Sequence, residues 1–367
     1  MACHALGMAE TGVNLRGLRE HNRTLLLGHI LRAGGLSRVE LAERTGLTQQ
    51  AVSKIVPELS DAGLLTEERQ PSTGVGKPRT LLRIRADAGY ALGARLDRDE
   101  FRVLRTDLTG EVVATTGGPL RPGFTPEDAV AAIASAAREL GEGRVLGLGV
   151  GSVGPLDHRT GHVRDATNMP GWHDVPLRDL LEQRTGLPVL LDKNTNAAAF
   201  AQLWPHGEPT ATAVVLAGTG IGVGLLIDGR LYRGPRTNAG EFGHTTIAYD
   251  GPRCACGRRG CVEILYKTAF DTETAAGLLG IGLADLVQVL DLERIVLAGR
   301  AVLAQPDIYR DGVSARLAEL LPQPEWQRID VVVDELGEEI VSRGAAAEIL
   351  ARFYDNPHFT TLEADHR

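Results

Sequence analysis

One stretch of this 367-residue chain carries residues that could hold a metal ion. Between Gly240 and Glu263 stand His244, Cys254, Cys256 and Cys261, one His and three Cys within eighteen residues, with Gly257, Arg258, Arg259 and Gly260 in the turn before the last Cys. Zn²⁺ takes four N or S ligands in a tetrahedron, and a Cys3His set closes that shell. Cys254 and Cys256 are one residue apart, Cys261 follows a Gly-rich turn, and His244 comes from ten residues upstream. With no coordination position left open, such a zinc shapes a loop rather than activating water. The alternative for the same thiols is a set of buried small hydrophobes or a disulfide. Three of the chain's four Cys gather here beside a His, which favours the metal.

The elements that must position this cluster belong to a chain long enough for two or three domains. Aromatic residues make up only 4% of it, and glycine is abundant at 44 residues. No run of about twenty apolar residues is present, so no membrane-spanning helix is expected. Met1-Ala2-Cys3-His4 lacks the basic-then-apolar start of a secretion signal. Few cysteines, mostly in a metal-like cluster, point to a reducing cytoplasm. Charge is uneven: residues 1–86 hold 12 Lys and Arg against 8 Asp and Glu, a balance of +4. The whole chain is −8, which leaves −12 on the remainder. A basic head on an acidic body suggests that the head alone meets nucleic acid.

The head has the pattern for it. Residues 1–20 show little periodicity and read as a loose lead-in, and from Leu25 the pattern is helical, with Leu27, Ile30 and Leu31 on one face. Ser37 with Glu40 forms a capping box for a short helix that Gly46 ends. Thr48 caps a third helix with Val52, Ile55, Val56 and Leu59 at helical spacing. Helix, short glycine-containing turn, helix is the helix-turn-helix arrangement, whose second helix enters the major groove. The candidate DNA-contacting residues there are Thr48, Gln49, Gln50, Ser53 and Lys54. Gln reads adenine in two-point fashion, and Lys reaches guanine or phosphate. Residues 64–68 and 81–85 read as two strands with a tip at 72–79 between them, a wing that places Lys77 and Arg79 for phosphate or minor-groove contact. Read without the wing, the same helix face is merely a solvated one. Pro57, inside the third helix, should kink it or cost about 3 kcal/mol.

Beyond residue 86 strands and helices alternate as in an α/β protein. Strands are expected at 90–96, 101–108, 111–114, 145–150, 189–191, 213–217, 294–299 and 331–333, with helices at 126–140, from 197, at 278–290 and at 345–353. Asp192-Lys193-Asn194-Thr195-Asn196 follows a buried strand, where α/β folds place ligands. Asn168 precedes Pro170-Gly171 and by itself reads as a turn former. The run Gly218-Thr219-Gly220-Ile221-Gly222-Val223-Gly224 is a weak nucleotide signal and equally a tight strand-to-strand turn.

Glu241-x-Gly243-His244 with Cys254-x-Cys256-Gly257-x-x-Gly260-Cys261-x-Glu263 resembles the signature of the ROK family (repressor, open reading frame, kinase), which contains sugar-responsive repressors and sugar kinases. The resemblance spans about residues 23–353. It implies an N-terminal winged helix-turn-helix (1–86) and a two-lobed, actin-like ATPase body of the ribonuclease H-like, sugar-kinase type. Its first lobe would cover 87–200, joined by a C-terminal helix at 343–355, and its second 201–342 with the zinc loop. It further implies a sugar bound by Asn168, Asn194, Glu241, His244 and Glu263, with His244 giving one ring nitrogen to structural Zn²⁺ and the other to a hydroxyl.

The kinase parts of that resemblance depart from the family. Where its kinases carry Asp-x-Gly-Gly-Thr, this chain reads Arg95, Leu96, Asp97, Arg98 and Asp99, whose carboxylates should repel phosphate. The general-base Asp corresponds to Asn194, and an amide takes no proton from a hydroxyl. A Glu usual further on is Gln202, and the segment after Glu263 is short. The expectation is therefore a cytoplasmic DNA-binding repressor of carbohydrate-metabolism genes, controlled by a sugar or sugar phosphate, with no enzyme activity and no membrane partner. Paired operator half-sites imply a homodimer or homotetramer. The alternatives are a hexose kinase with a DNA-binding head, or a DNA-binding scaffold whose pocket is dead.

Overall fold

The structure, a computed structural model, describes residues 15–70, 79–166, 169–207, 211–321, 326 and 328–355. It divides into two compact units, Met1–Ala88 with Arg352–Arg367, and Gly89–Ala351. The first unit is built of α1 (Leu15–Ala33), α2 (Arg38–Thr45), α3 (Gln49–Asp61), β1 (Leu65–Gln70) and β2 (Arg79–Ile84). Ser37 and Glu40 form the reciprocal capping box of α2, Gly46 ends it at φ 71°, and the Thr48 hydroxyl accepts the Ala51 N–H at 3.2 Å to start α3. Leu26, Leu27, Ile30, Leu41, Val52, Val56, Leu59 and Leu82 form its core.

α1 starts ten residues before the helical pattern at Leu25, so the last six residues of the expected lead-in, 15–20, are helix. Its early turns are held by charge rather than by an apolar stripe. Arg19 and Arg23 both pair with Glu58 of α3, Arg23 at 2.6 Å. Hydrophobic periodicity does not register such an anchor. α3 also runs through Pro57. The ring costs the helix a backbone hydrogen bond, and the buried face of Val52, Ile55, Val56 and Leu59, with Glu58 gripped by two arginines, outweighs that loss. β1 and β2 pair antiparallel from Leu65↔Ile84 to Gln70↔Arg79. The expected wing tip with Lys77 lies outside the described residues.

The second unit repeats one sheet design twice. β3 (Tyr90–Leu96), β4 (Glu100–Asp107) and β5 (Val112–Pro119) form an antiparallel meander, after which come α4 (Pro126–Glu139), β6 (Val145–Ser152), the small strands β7 (Leu156–Asp157), β8 (His162–Asp165) and β9 (His173–Val175), then α5 (Leu177–Thr185) and β10 (Val189–Lys193). The sheet order is β10-β6-β3-β4-β5, with β10, β6 and β3 parallel. After α6 (Asn194–Leu203) the pattern recurs with β11 (Thr212–Ala217), β12 (Ile221–Ile227), β13 (Arg230–Leu231), α7 (Val262–Lys267), α8 (Thr272–Leu290), β14 (Arg294–Ala298), α9 (Arg300–Ala304), α10 (Pro306–Leu320) and β15 (Asp330–Val333). Its order is β13-β12-β11-β14-β15, the same topology, with β11, β14 and β15 parallel.

α6 and α11 (Ile340–Asp355) bridge the two sheets. The backbone approaches too closely there for side chains. A Cβ at Gly149 of β6 would stand 1.9 Å from the Ala345 carbonyl oxygen of α11, and one at Gly344 would stand 1.7 Å from the Ala197 carbonyl oxygen of α6. α8 is long and apolar enough to cross a membrane by length and composition alone. Here it is a core helix, with Ala276, Leu279, Leu283 and Val287 packed with Val313 and Leu317 of α10. Gly344→Ala should destabilise the protein by about 1–3 kcal/mol through overpacking, read as a lowered urea midpoint. Wild-type stability in that variant would contradict the tight α6–α11 crossing.

Candidate functional site

The turn Phe242–His244 and the N-terminus of α7 bring the four metal-type ligands together. Val262 N donates to the Thr245 carbonyl oxygen at 3.0 Å, Cys254 N to the Arg258 carbonyl oxygen at 2.8 Å, and the Gly257 N–H to the Cys254 carbonyl oxygen at 3.0 Å. Gly260 is indispensable to the turn: its φ is 58°, and a Cβ would lie 1.7 Å from the Ala248 carbonyl oxygen. The ligand atoms of His244, Cys254, Cys256 and Cys261 all lie within 4.8 Å of one another. Cys256 and Cys261 Sγ are 3.7 Å apart, and Cys254 Sγ is 3.6 Å from His244 Nδ1. Zn–S bonds of about 2.3 Å in a tetrahedron require S···S edges of about 3.8 Å, so the donor set fits that ion. A disulfide needs about 2.05 Å, and all three thiols are free. Burial, with hydrogen bonds to Cys256 and Cys254, pushes the Cys261 thiol up to about 12. A divalent cation is what would make such a thiolate stable.

This knot forms one side of a cleft between the two sheets' loop ends, lined by Glu241, His244, Glu263, Lys193, Asn194 and Thr195 among others. Glu241 accepts from Lys193 Nζ at 2.5 Å, and Lys193, only 5% exposed, also donates to the Ala239 carbonyl oxygen at 2.9 Å. Glu263 is the second residue of α7, two positions after Cys261, and its Oε2 accepts the Ile221 N–H at 3.0 Å while Oε1 accepts from Lys267 at 2.7 Å. Burial raises this carboxyl, but Lys267, the Ile221 N–H and His244 outweigh it and hold the pKa below the ordinary glutamate value. His244 turns Nδ1 to the thiols, which leaves Nε2 for a ligand hydroxyl. α6 starts at Asn194 rather than near Ala197. Asn194 Nδ2 donates to the Leu96 carbonyl oxygen at 3.2 Å, while its buried Oδ1 and the buried Thr195 hydroxyl have no partner in the protein. Buried acceptors of this kind call for a ligand or water.

Asn168 lies outside the described residues. Gln202 donates to Asp334 at 2.6 Å and does not line the cleft. The carboxylates expected to repel phosphate each have a partner within the protein. Asp97 Oδ1 accepts from the Thr219 hydroxyl at 2.6 Å, and Asp99 pairs with Arg300 at 2.9 Å. Arg95, Arg98 and Arg300 line the cleft there with Asp97. The sequence placed Lys193 in the ligand-facing stretch after a buried strand without giving it a role of its own, whereas nothing in the sequence singled out Arg300. In the first unit, Thr48, Gln49, Gln50, Ser53 and Lys54 are all exposed at the start of α3, and Arg79 opens β2.

The ROK family model matches residues 92–274, and the MarR family model matches residues 20–74. A solved ROK hexokinase from Thermus thermophilus is 30% identical, with a TM-score of 0.61 over 73% of this chain and 100% of its own. The chain belongs to the ROK family. Its body has the sugar-kinase-like actin fold of that family, and its N-terminal unit is a MarR-type winged helix-turn-helix. A ROK transcriptional regulator, described as a homolog of E. coli MLC protein, aligns over 92% of this chain and 97% of its own with a TM-score of 0.74 at 21% identity, which extends the shared fold to both units. The Xylose repressor of Caldicellulosiruptor bescii is 31% identical over 67% of this chain, and the match spans 63% of that relative's length.

The buried Lys193 ammonium is paired with Glu241 at 2.5 Å. Lys193→Met should cost about 1–3 kcal/mol in urea unfolding, since it leaves a partly buried carboxylate without its cation. Adding Glu241→Gln should recover part of that loss. Strictly additive losses would show that the two side chains are not coupled.

Proposed function

We propose that this ROK chain is a DNA-binding transcription repressor of carbohydrate-metabolism genes, switched by a sugar bound in the cleft. The observation that carries this reading is the convergence of Glu241, His244 and Glu263 with the unpartnered Asn194 Oδ1 on one cleft, in a chain that also presents a winged helix with an exposed polar reading face. Carboxylates, imidazole and amide are groups that hydrogen-bond sugar hydroxyls in a largely pre-formed site. The names of relatives support the switch: some are called xylose repressors. His244, Cys254, Cys256 and Cys261 would hold Zn²⁺, which would fix the loop between Glu241 and Glu263 without taking part in chemistry. A homodimer or homotetramer in the cytoplasm would place two winged helices on paired half-sites.

A kinase is the second reading, because the Thermus hexokinase is a 30% identical relative. Phosphoryl transfer depends on cradling phosphates and on a residue that accepts the nucleophile's proton. Asn194 accepts none, and Asp97 sits beside the Gly218–Gly220 turn, bound to Thr219. Asn194→Asp alone should therefore not create ATP-dependent turnover in a coupled ADP-release assay. Sugar-dependent turnover well above background in the wild type would establish the kinase instead.

The experiment for the switch is fluorescence anisotropy with operator-containing DNA, after a thermal-shift panel of monosaccharides and their phosphates. The stabilising sugar should change DNA affinity by about ten-fold or more. Gln50→Ala and Lys54→Ala should weaken specific binding more than binding to random DNA, and affinity should fall with salt. DNA affinity indifferent to every sugar in the panel would remove the switch. The purified protein should carry close to one zinc per chain, and Cys256→Ser should lose metal and sugar response together. A well-folded preparation free of zinc by elemental analysis would rule out the metal.

A further inference from the structure

The segment from Arg233 to Glu241, between β13 and the knot, belongs to the second half of the body but is fastened to the first. At one end the Arg233 guanidinium binds Asp192 at 2.5 Å and Glu348 at 2.8 Å. At the other, Lys193 Nζ donates to the Ala239 carbonyl oxygen at 2.9 Å and to Glu241 at 2.5 Å. Between these ends stands Thr237, fully buried, with φ at 57°. A β-branched residue in the left-handed region is an outlier that persists only where its surroundings hold it. Its hydroxyl meets His158, in the turn between β7 and β8 of the first half. The His158 N–H donates to Thr237 Oγ1 at 3.2 Å, and the ring Nδ1 lies 2.6 Å from the same oxygen. The sugar reading uses neither residue.

A count of hydrogens fixes the form of His158. Thr237 Oγ1 already accepts from the His158 N–H, and among the described residues its own proton has no acceptor but Nδ1. A buried hydroxyl without an acceptor is costly, so Nδ1 carries a lone pair and the ring is neutral. Protonation turns Nδ1 into a donor, and the hydroxyl proton loses its place. The charged groups facing the ring are Asp192, Arg233, Asp157 and Arg159, and burial, the largest influence, holds the imidazole below the ordinary histidine value. We propose that Thr237 and His158 form a latch, closed only while His158 is neutral, that positions Glu241 for the effector. Glu241 lies four residues beyond Thr237 at the end of the same segment. The proposal rests on the sugar reading of the cleft. A histidine held below its ordinary value stabilises the folded state fully above about pH 6.5, and that contribution is lost as the pH falls further. Acid therefore opens the latch and loosens Glu241.

The test is hydrogen exchange of the full-length protein, read by mass spectrometry at about pH 7.5 and about pH 5.5 and corrected for intrinsic exchange rates. Peptides covering 233–241 should exchange about five-fold faster at the lower pH, the scale of one hydrogen bond. His158→Asn, whose side-chain oxygen accepts without titrating, should abolish that acceleration. Thr237→Val keeps the branched shape without the hydroxyl and should exchange fast at both pH values, which keeps the test open if the first variant misfolds. His244 is common to all three proteins, so the differences among them read the latch and not the knot. Calorimetric titrations with xylose and with glucose should show affinity falling wherever the segment loses protection. The latch is overturned if Thr237→Val leaves the segment as protected as in the wild type at the higher pH, or if His158→Asn keeps the acid acceleration. Sugar affinity indifferent to release of the segment overturns the positioning of Glu241. Binding of neither sugar, with the exchange pattern as expected, removes the sugar reading and leaves the latch standing.

Discussion

The rest of the cleft depends on how the segment from Glu241 to Glu263 closes on itself. Its two ends each carry a carboxylate of the cleft, and between them the chain must turn tightly enough to bring one imidazole and three thiols within 4.8 Å. Backbone bonds from Val262 to Thr245 and from Cys254 to Arg258 give the turn its frame, and Gly260 permits the approach to Ala248. Burial first, then the hydrogen bonds and charge of Cys256 and Cys254, raise Cys261, so its anion is opposed by its burial and by repulsion from its neighbours. A cation at their centre converts that repulsion into a cross-link. His244 belongs to both the knot and the cleft, so any rearrangement of the thiols is felt at the ligand.

Around this knot polar side chains join the two halves of the body. Lys193 meets Glu241, Arg233 meets Asp192 at 2.5 Å and Glu348 at 2.8 Å, and Asp97 meets Thr219. Each contact joins the end of β10, α11 or the turn after β3 to a loop of the second half. The repeated sheet design explains why the cleft lies there: in both halves the parallel strands end at the same edge, where α/β folds collect ligand groups. α6 and α11, packed backbone to backbone, fix the two halves behind it. The charges then decide what the opening accepts.

Much of this was legible in the residues, for identifiable reasons. Metal ligands are few in kind and rigid in spacing, so His244 and the three cysteines stood out. The caps at Ser37 and Thr48 are local and were readable for the same reason. What escaped was set by distant partners. α1 extends to Leu15 because Arg19 and Arg23 find Glu58, nearly forty residues away. Arg300 is one arginine among many until β4 brings Asp99 and Glu100 to it. The partners of Asp97 and Asp99, Thr219 and Arg300, lie far along the chain and were not legible beside them. Asn194 was legible as a polar residue at the end of β10, but its unpartnered Oδ1 appears only once Leu96 takes its Nδ2.

The most direct test of the central claim is to compare sugar binding by the Zn²⁺-loaded protein with binding by the same protein after treatment with a chelator, using the sugar that gives the largest thermal shift. The account predicts that the stripped protein keeps its secondary structure, loses measurable affinity for that sugar, and regains it on addition of one equivalent of Zn²⁺. Equal sugar affinity in the loaded and stripped forms would contradict it, because Glu241, His244 and Glu263 would then hold their places without the knot.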